Sequence, residues 1–174
     1  MPKEDPDDYV CRQCAATNRT CCRSNPRNTA NCFPLSEFEI ATLRSLYPHS
    51  EVIEMEANSQ AFIANMRKLF PDQKKTVPEM FPKKGRHPRL KTYADGTCIF
   101  LGDKGCVLPV KSRPYFCRIY PFWVCRQKIT VFDDPGCLAL NQNDSIKKLL
   151  QTFAVSPEKI LKLYHDMFKK LNCS

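Results

Sequence analysis

Eleven cysteines in a chain of 174 residues constrain this protein more than any other feature of its sequence. They fall into two groups. Near the start, Cys11-Arg12-Gln13-Cys14 precedes the adjacent pair Cys21-Cys22. Far along the chain stand Cys98, Cys106 and Cys117, with seven and ten residues between them, and then Cys137. An odd count and an adjacent pair suit a disulfide framework poorly. The N-terminal stretch, Met1 to Asp8, is acidic and holds no apolar h-region, so a secretory signal is not expected and the cytoplasm is the expected compartment. In a reducing compartment, clustered cysteines point to metal ligation or redox work. The expectation is a fold that brings the two groups together around metal.

Eight thiolates are the candidate ligands: Cys11, Cys14, Cys21, Cys22, Cys98, Cys106, Cys117 and Cys137. The Cys-x2-Cys spacing recurs in zinc and iron–sulfur sites because intervening backbone N–H groups can point at the sulfurs. Soft thiolates select zinc or iron–sulfur over magnesium or calcium. Eight suffice for one four-iron cluster with a spare set, or for two tetrahedral zinc ions. Iron–sulfur is the reading that adjacent cysteines and a dispersed set suit better. Two neighbours in sequence do not readily chelate one tetrahedral ion. Either one of Cys21 and Cys22 is a ligand and the other packs, or each serves a different metal. Cys32, Cys125 and Cys173 read as structural or incidental, although Cys125 stands between two members of the cluster and a ligand role stays open for it. His49, His87 and His165 lack ligand spacing to one another and read as non-ligands.

The expected fold is a small single α+β domain, with irregular metal-bound cysteine loops, short β-hairpins and a helical C-terminal part. Residues 1–9 read as a flexible acidic leader, and 10–174 as the domain. Residues 10–33 are polar and irregular, so metal binding there would supply folding free energy. Ser36 and Glu39 make a capping-box pattern for a helix with Phe38, Ile40, Leu43, Leu46 and Tyr47 on its apolar face. A second helix is expected across 58–70 and a short one within 72–80. Three prolines over 78–89 indicate an exposed loop. Asp95-Gly96 signals a hairpin, and Gly102 to Gly105 a turn that delivers Cys106 close to Cys98. Ser112 is the expected cap of a short helix over 112–118. A second hairpin is expected from Phe122–Cys125 and Lys128–Val131. The turn Asp133-Asp134-Pro135-Gly136 presents Cys137, and helices follow from Asn141–Asp144 to Phe153 and from Pro157 onward.

These residues resemble the CxxCxxCC (YkgJ-like) cysteine-cluster family of zinc- or iron-chelating proteins. The matching pieces are Cys11-Arg12-Gln13-Cys14 with Cys21-Cys22, Pro34-Leu35-Ser36 with Glu39-Ile40, Cys98-Ile99-Phe100-Leu101, Cys106-Val107-Leu108, Arg113-Pro114, Cys117-Arg118 with Pro121-Phe122, and Pro135-Gly136-Cys137. The resemblance implies metal chelation. One branch that resembles it, the flagellin lysine N-methylases, carries an iron–sulfur cluster. The six residues between Cys14 and Cys21 exceed the family's usual two, and Pro109 stands where tyrosine is common. No separate cofactor-binding motif is visible, so methylation is not carried over.

The net charge is +9, with a dense basic stretch from Lys83 to Lys91. It suits a solvated loop, an acidic partner or nucleic acid, although no aromatic residues interleave to stack bases. Arg113 and Arg118 flank Cys117 and can offset thiolate charge. Tyr115, Phe116, Phe122 and Trp123 read as core or as a shield for the site. There is no phosphate-binding glycine loop, nucleophile elbow or His-Glu-x-x-His helix. Three roles follow. One is metal binding with an unknown protein partner, one a metal-dependent or iron–sulfur redox or modifying enzyme, and one a zinc-stabilised nucleic-acid module. No apolar run approaches the ~20 residues that span a bilayer, so no membrane partner is expected.

Overall fold

The computed structural model describes residues 6–16, 20–23 and 33–172; the side chains of 6–9 and 11 lie outside this set, as do Cys32 and Cys173. The chain is an α+β arrangement of helices and three two-stranded antiparallel ribbons. No helix among the described residues is long and apolar enough to cross a membrane.

Helix α1 spans Pro6–Ala15. It replaces both the flexible leader expected over 6–9 and the irregular loop expected from 10. The Cys11-x2-Cys14 spacing therefore lies on a helix. Three residues apart on a helix is one face, so a pattern suited to a loop also suits adjacent turns. Val10 is buried against the main core.

Helix α2 (Glu37–Leu46) starts where the sequence requires, with Ser36 as N-cap and both halves of the capping box formed. Ile40 and Leu43 are buried, but Phe38 and Leu46 are 53% and 46% exposed. Only the narrower stripe faces inward, and Phe38 lies under the ammonium of Lys170 at 4.5 Å.

Strands β1 (Ile53–Ala57) and β2 (Arg86–Leu90) pair antiparallel from Ile53↔Leu90 to Ala57↔Arg86. This ribbon corrects the exposed loop expected over 78–89. Pro88 is tolerated because a two-stranded ribbon has an open edge. His87 is 1% exposed, stacked on Phe62 at 3.9 Å with its Nδ1 2.8 Å from Asn58 Oδ1. Gly85 allows the close approach, since a Cβ there would lie 2.9 Å from Pro82 Cγ and 3.0 Å from Asn58 Nδ2.

Between these strands run α3 (Gln60–Leu69), capped by Ser59, and the one-turn α4 (Val77–Met80). Strands β3 (Leu101–Gly102) and β4 (Gly105–Cys106) close the small hairpin expected around Asp103-Lys104. Upstream, Asp95-Gly96 does make a turn, with Gly96 at φ 83°. It is flanked only by an isolated Thr92↔Cys98 bridge, not a ladder. Helix α5 (Tyr115–Ile119) is one short turn, and Pro114, not Ser112, occupies its N-cap.

Strands β5 (Phe122–Cys125) and β6 (Lys128–Val131) form the second expected hairpin. Its two-residue turn puts Arg126 and Gln127 at φ 49° and 62°, the left-handed pair such a turn demands. The helical C-terminal part comprises α6 (Leu138–Gln142), α7 (Ile146–Thr152) and α8 (Pro157–Asn172). The helix expected from Asn141–Asp144 to Phe153 is thus two, divided where Ser145 caps the second.

Two cores result. The larger gathers α3, α5, β5 and α8 around Phe62, Phe70, Trp123 and Met167. Each of Ile160, Leu163, Met167 and Leu171 of α8 contributes about 2 kcal/mol by burial. The smaller comprises Leu35, Ile40, Leu43, Val52, Phe100 and Leu108, with Cys98 and Cys106 packed at its edge.

Candidate metal centre

Each element places its cysteine by a local device. The backbone N–H of Cys98 donates to the carbonyl of Cys22 at 2.7 Å, and Arg23 bridges Thr97 next door. These bonds lay the Cys21-Cys22 segment against the second cysteine group, across 75 residues of sequence. The Leu101↔Cys106 pairing folds Cys106 back toward Cys98. α1 packs against β4 and α6, and Cys14 has Cys137 and Cys22 as neighbours. The Asp134 carbonyl accepts the Cys137 N–H at 3.1 Å, and its Oδ1 accepts the Gly136 N–H at 2.8 Å, so this turn presents Cys137 as the sequence implies.

The sulfurs are not bare. Cys98 accepts the N–H of Phe100, and Cys106 accepts the N–H of Leu108, each two residues on. Cys14 accepts the N–H of Leu138, the first residue of α6. Such N–H groups stabilise thiolate more than thiol. Burial nevertheless dominates. It raises Cys14 and Cys106 above the ordinary cysteine value and pushes Cys98 up to about 11. Cys117 is raised furthest, first by burial and then by the thiolates of Cys22, Cys98 and Cys106. Yet Cys117 is exposed by area.

Cys22 goes the other way. A hydrogen bond from the Cys21 thiol lowers it to about 7 against the opposing effect of burial, with Thr20 and Arg113 adding to the fall. It is the neighbour whose charge Cys14, Cys98, Cys106 and Cys117 all feel.

Arg113 fills the charge-offsetting place expected of it. It is 8% exposed, and its Nε donates to the Leu108 carbonyl at 3.0 Å. One terminal nitrogen lies 3.4 Å from the Cys106 carbonyl, and the guanidinium also lowers Cys22 and Cys106. Arg118 does not share this place; it lies over the Tyr115 ring at 5.5 Å. Phe116 and Trp123 stack at 5.5 Å inside the main core, where they pack helices instead of shielding thiols.

Two residues of the site were not legible in the sequence. Arg89, read there as part of a basic loop, sits on β2 and acts on Cys98. Glu39, read as half of a capping box, is 6% exposed and also accepts the Tyr115 N–H at 2.7 Å. It thereby joins the start of α2 to the start of α5, the helix that carries Cys117. The capping box was the sequence signal at Glu39; its bond to Tyr115, 76 positions on, had none.

No family model, curated protein or solved structure matches this chain.

Among the described residues, no three His, Cys, Asp or Glu side chains already stand together at metal-ligand spacing. The side chain of Cys11 lies outside those residues. Cys125 is half-buried at the end of β5, and its charge acts on Tyr164 instead of on the cysteines above. His49 and His165 are exposed, and His87 is occupied by Asn58, so none of the three adds a donor to the thiols.

The donor set itself fits a thiophilic metal. Soft sulfurs converge from two distant segments, N–H groups meet three of them, and Arg113 and Arg89 offset negative charge. Lys83, Lys84 and Arg86 of the basic stretch are exposed, but part of the stretch is tied to neighbouring groups. Arg89 pairs with Glu54 and Glu56 at 3.4 and 3.7 Å, Lys91 with Glu51 at 3.2 Å, and Arg86 donates to the Met55 carbonyl at 2.6 Å.

Proposed function

We propose that this chain is a cysteine-ligated metal-binding protein that holds iron–sulfur or zinc. One observation carries the reading: Cys22 lies beside Cys98, Cys106 and Cys117, although the sequence separates them by 75 residues or more. Buried thiols of core packing do not need N–H donors aimed at their sulfurs, whereas thiolate ligands do. The resemblance to the CxxCxxCC cysteine-cluster family points the same way. The residues themselves would bind and orient the metal. Arg113 and Arg89 hold down the negative charge of the loaded site, and Glu39 fixes the helix that carries Cys117. The metal would supply folding free energy and, if it is iron–sulfur, electron transfer. A binding role in the cytoplasm with a protein partner is the role we assign. The pairing of Arg86 and Arg89 with β1, and of Lys91 with Glu51, works against a nucleic-acid surface over 83–91.

The test is anaerobic purification of the full chain, followed by metal analysis, acid-labile sulfide and an absorption spectrum on one sample. Brown protein with iron and sulfide supports a cluster. Colourless protein with zinc supports tetrahedral thiolate sites. A folded protein that takes up neither metal returns these cysteines to the core and refutes the proposal.

A further inference from the structure

We propose that a cavity between the end of β6 and the break between α6 and α7 binds a small organic cation, an ammonium group carried on an apolar body. The proposal stands apart from the metal-binding reading, because no candidate metal ligand lines this cavity.

The cavity holds about 470 Å³, a size within the range of small-molecule sites. Its floor is apolar. Leu149 is 2% exposed, and Phe132 and Leu140 pack on the larger core. Val131 and Ile146 also line it, and each is left more than a third exposed. Single exposed apolar side chains are ordinary, but two that share one cavity offer a ligand a contact surface. The walls are held before any ligand arrives. The Phe132 N–H donates to the Pro121 carbonyl at 3.0 Å, and Asn141 Nδ2 donates to the Pro135 carbonyl at 3.0 Å. At the helix break, Asn143 Nδ2 donates to the Ala139 carbonyl at 2.8 Å, and its Oδ1 accepts the Thr152 hydroxyl at 3.1 Å. A site built this way loses little freedom when it is filled.

The apolar cavity makes the site, and charge sets the sign of its ligand. Asp133, Asp134 and Asp144 line it and no Lys or Arg does, in a chain of net charge +9. The three carboxylates are not equivalent. Asp134 is occupied, because it accepts the Gly136 N–H and the Tyr120 hydroxyl. Asp144 holds Lys148 at 2.9 Å, in an exposed pair that water and salt screen. Asp133 is exposed and makes no hydrogen bond or ion pair among the described residues. An anion would meet three carboxylates here. A neutral apolar molecule would fill the floor and leave Asp133 unused. An ammonium at Asp133, with its apolar body over Leu149 and Ile146, uses both halves of the cavity.

The test is isothermal titration calorimetry of the reduced full chain with three probes of similar shape: 2-phenylethylammonium, 2-phenylethanol and 3-phenylpropionate. The ammonium should bind best. The alcohol should bind about three- to fivefold more weakly, the worth of one exposed ion pair, and the carboxylate not measurably. This order is read on the wild type and does not depend on any variant. Asp133→Asn should bring the ammonium down to the alcohol and leave the alcohol unchanged. Ile146→Ser should weaken the ammonium and the alcohol alike, by about threefold, because it removes apolar contact. Both positions are exposed, so both variants should keep the wild-type circular dichroism spectrum. Equal binding of the three probes, or no binding of any, overturns the proposal. So does an ammonium preference that survives Asp133→Asn, or an Ile146→Ser chain with both affinities unchanged. Each of these failures leaves the metal-binding reading as it stands.

Discussion

Replacing Glu39 by glutamine tests whether the carboxylate is a structural tie between α2 and α5. Its Oε2 accepts the Ser36 N–H at 2.7 Å and the Ser36 hydroxyl at 2.6 Å, and its Oε1 accepts the Tyr115 N–H at 2.7 Å. All three donors are buried. Glutamine keeps the shape but turns one oxygen into an NH2 group. Whichever way the amide is turned, a donor then faces a donor. Losing one charge-assisted bond and leaving a buried N–H unmet costs about 3 kcal/mol. Ser36→Ala is the control, because it removes the cap yet leaves the Tyr115 bond, at about 1 kcal/mol. Urea unfolding of the reduced, metal-free chain should therefore show a larger fall in midpoint for Glu39→Gln at unchanged slope. The negative charge of Glu39 also helps raise Cys117. Glu39→Gln should lower that thiol and speed its alkylation at pH 8. If Glu39→Gln costs no more than Ser36→Ala, the tie to Tyr115 contributes nothing and the reasoning fails.

Zinc binding should release protons. At pH 7 Cys98, Cys106 and Cys117 are protonated in the metal-free chain and Cys22, at about 7, is half ionised, so a zinc ion held by these four should displace about 3.5 protons. Calorimetry in buffers of different ionisation enthalpy measures this; release below two would refute the assigned ligand set. Because Cys98 is raised from 9.0 to about 11, its contribution to metal-free stability is complete below pH 9 and is lost as pH rises through about 11. Arg113→Lys should leave the fold in place but weaken zinc 10- to 100-fold in chelator competition, at roughly the cost of a lost outer-shell partner. A lysine cannot reach the Leu108 and Cys106 carbonyls at once as the guanidinium fork does. An unchanged affinity would remove Arg113 from the site.

Local signals were legible in the sequence because their causes are local. The Ser36–Glu39 box, the Asp133 to Gly136 turn, the β5–β6 hairpin and the Pro157 helix start each depend on residues a few positions apart. The β1–β2 ribbon was not legible. Glu54 and Glu56 meet Arg89 from 35 and 33 positions away, and Pro88 in isolation argues for a loop. His87 looked solvated in a run of lysines and arginines, yet stacking on Phe62 makes it core. Helix α1 was hidden because its Cys-x2-Cys spacing satisfies a loop and a helix equally.

The sequence alone determined which residues are the candidate ligands. Soft, clustered thiols in two groups are a property of composition and spacing, and no fold is needed to name them. What only the tertiary structure decided is how the groups meet. Proximity across 75 residues is set by the Cys98 to Cys22 hydrogen bond, by α1 packed between β4 and α6, and by two separate cores. Those contacts form only when the apolar surface of the two cores, distant in sequence from the cysteines of 11–22, is buried. That burial is why Cys22 comes to lie against Cys98, a partner no local rule would assign it.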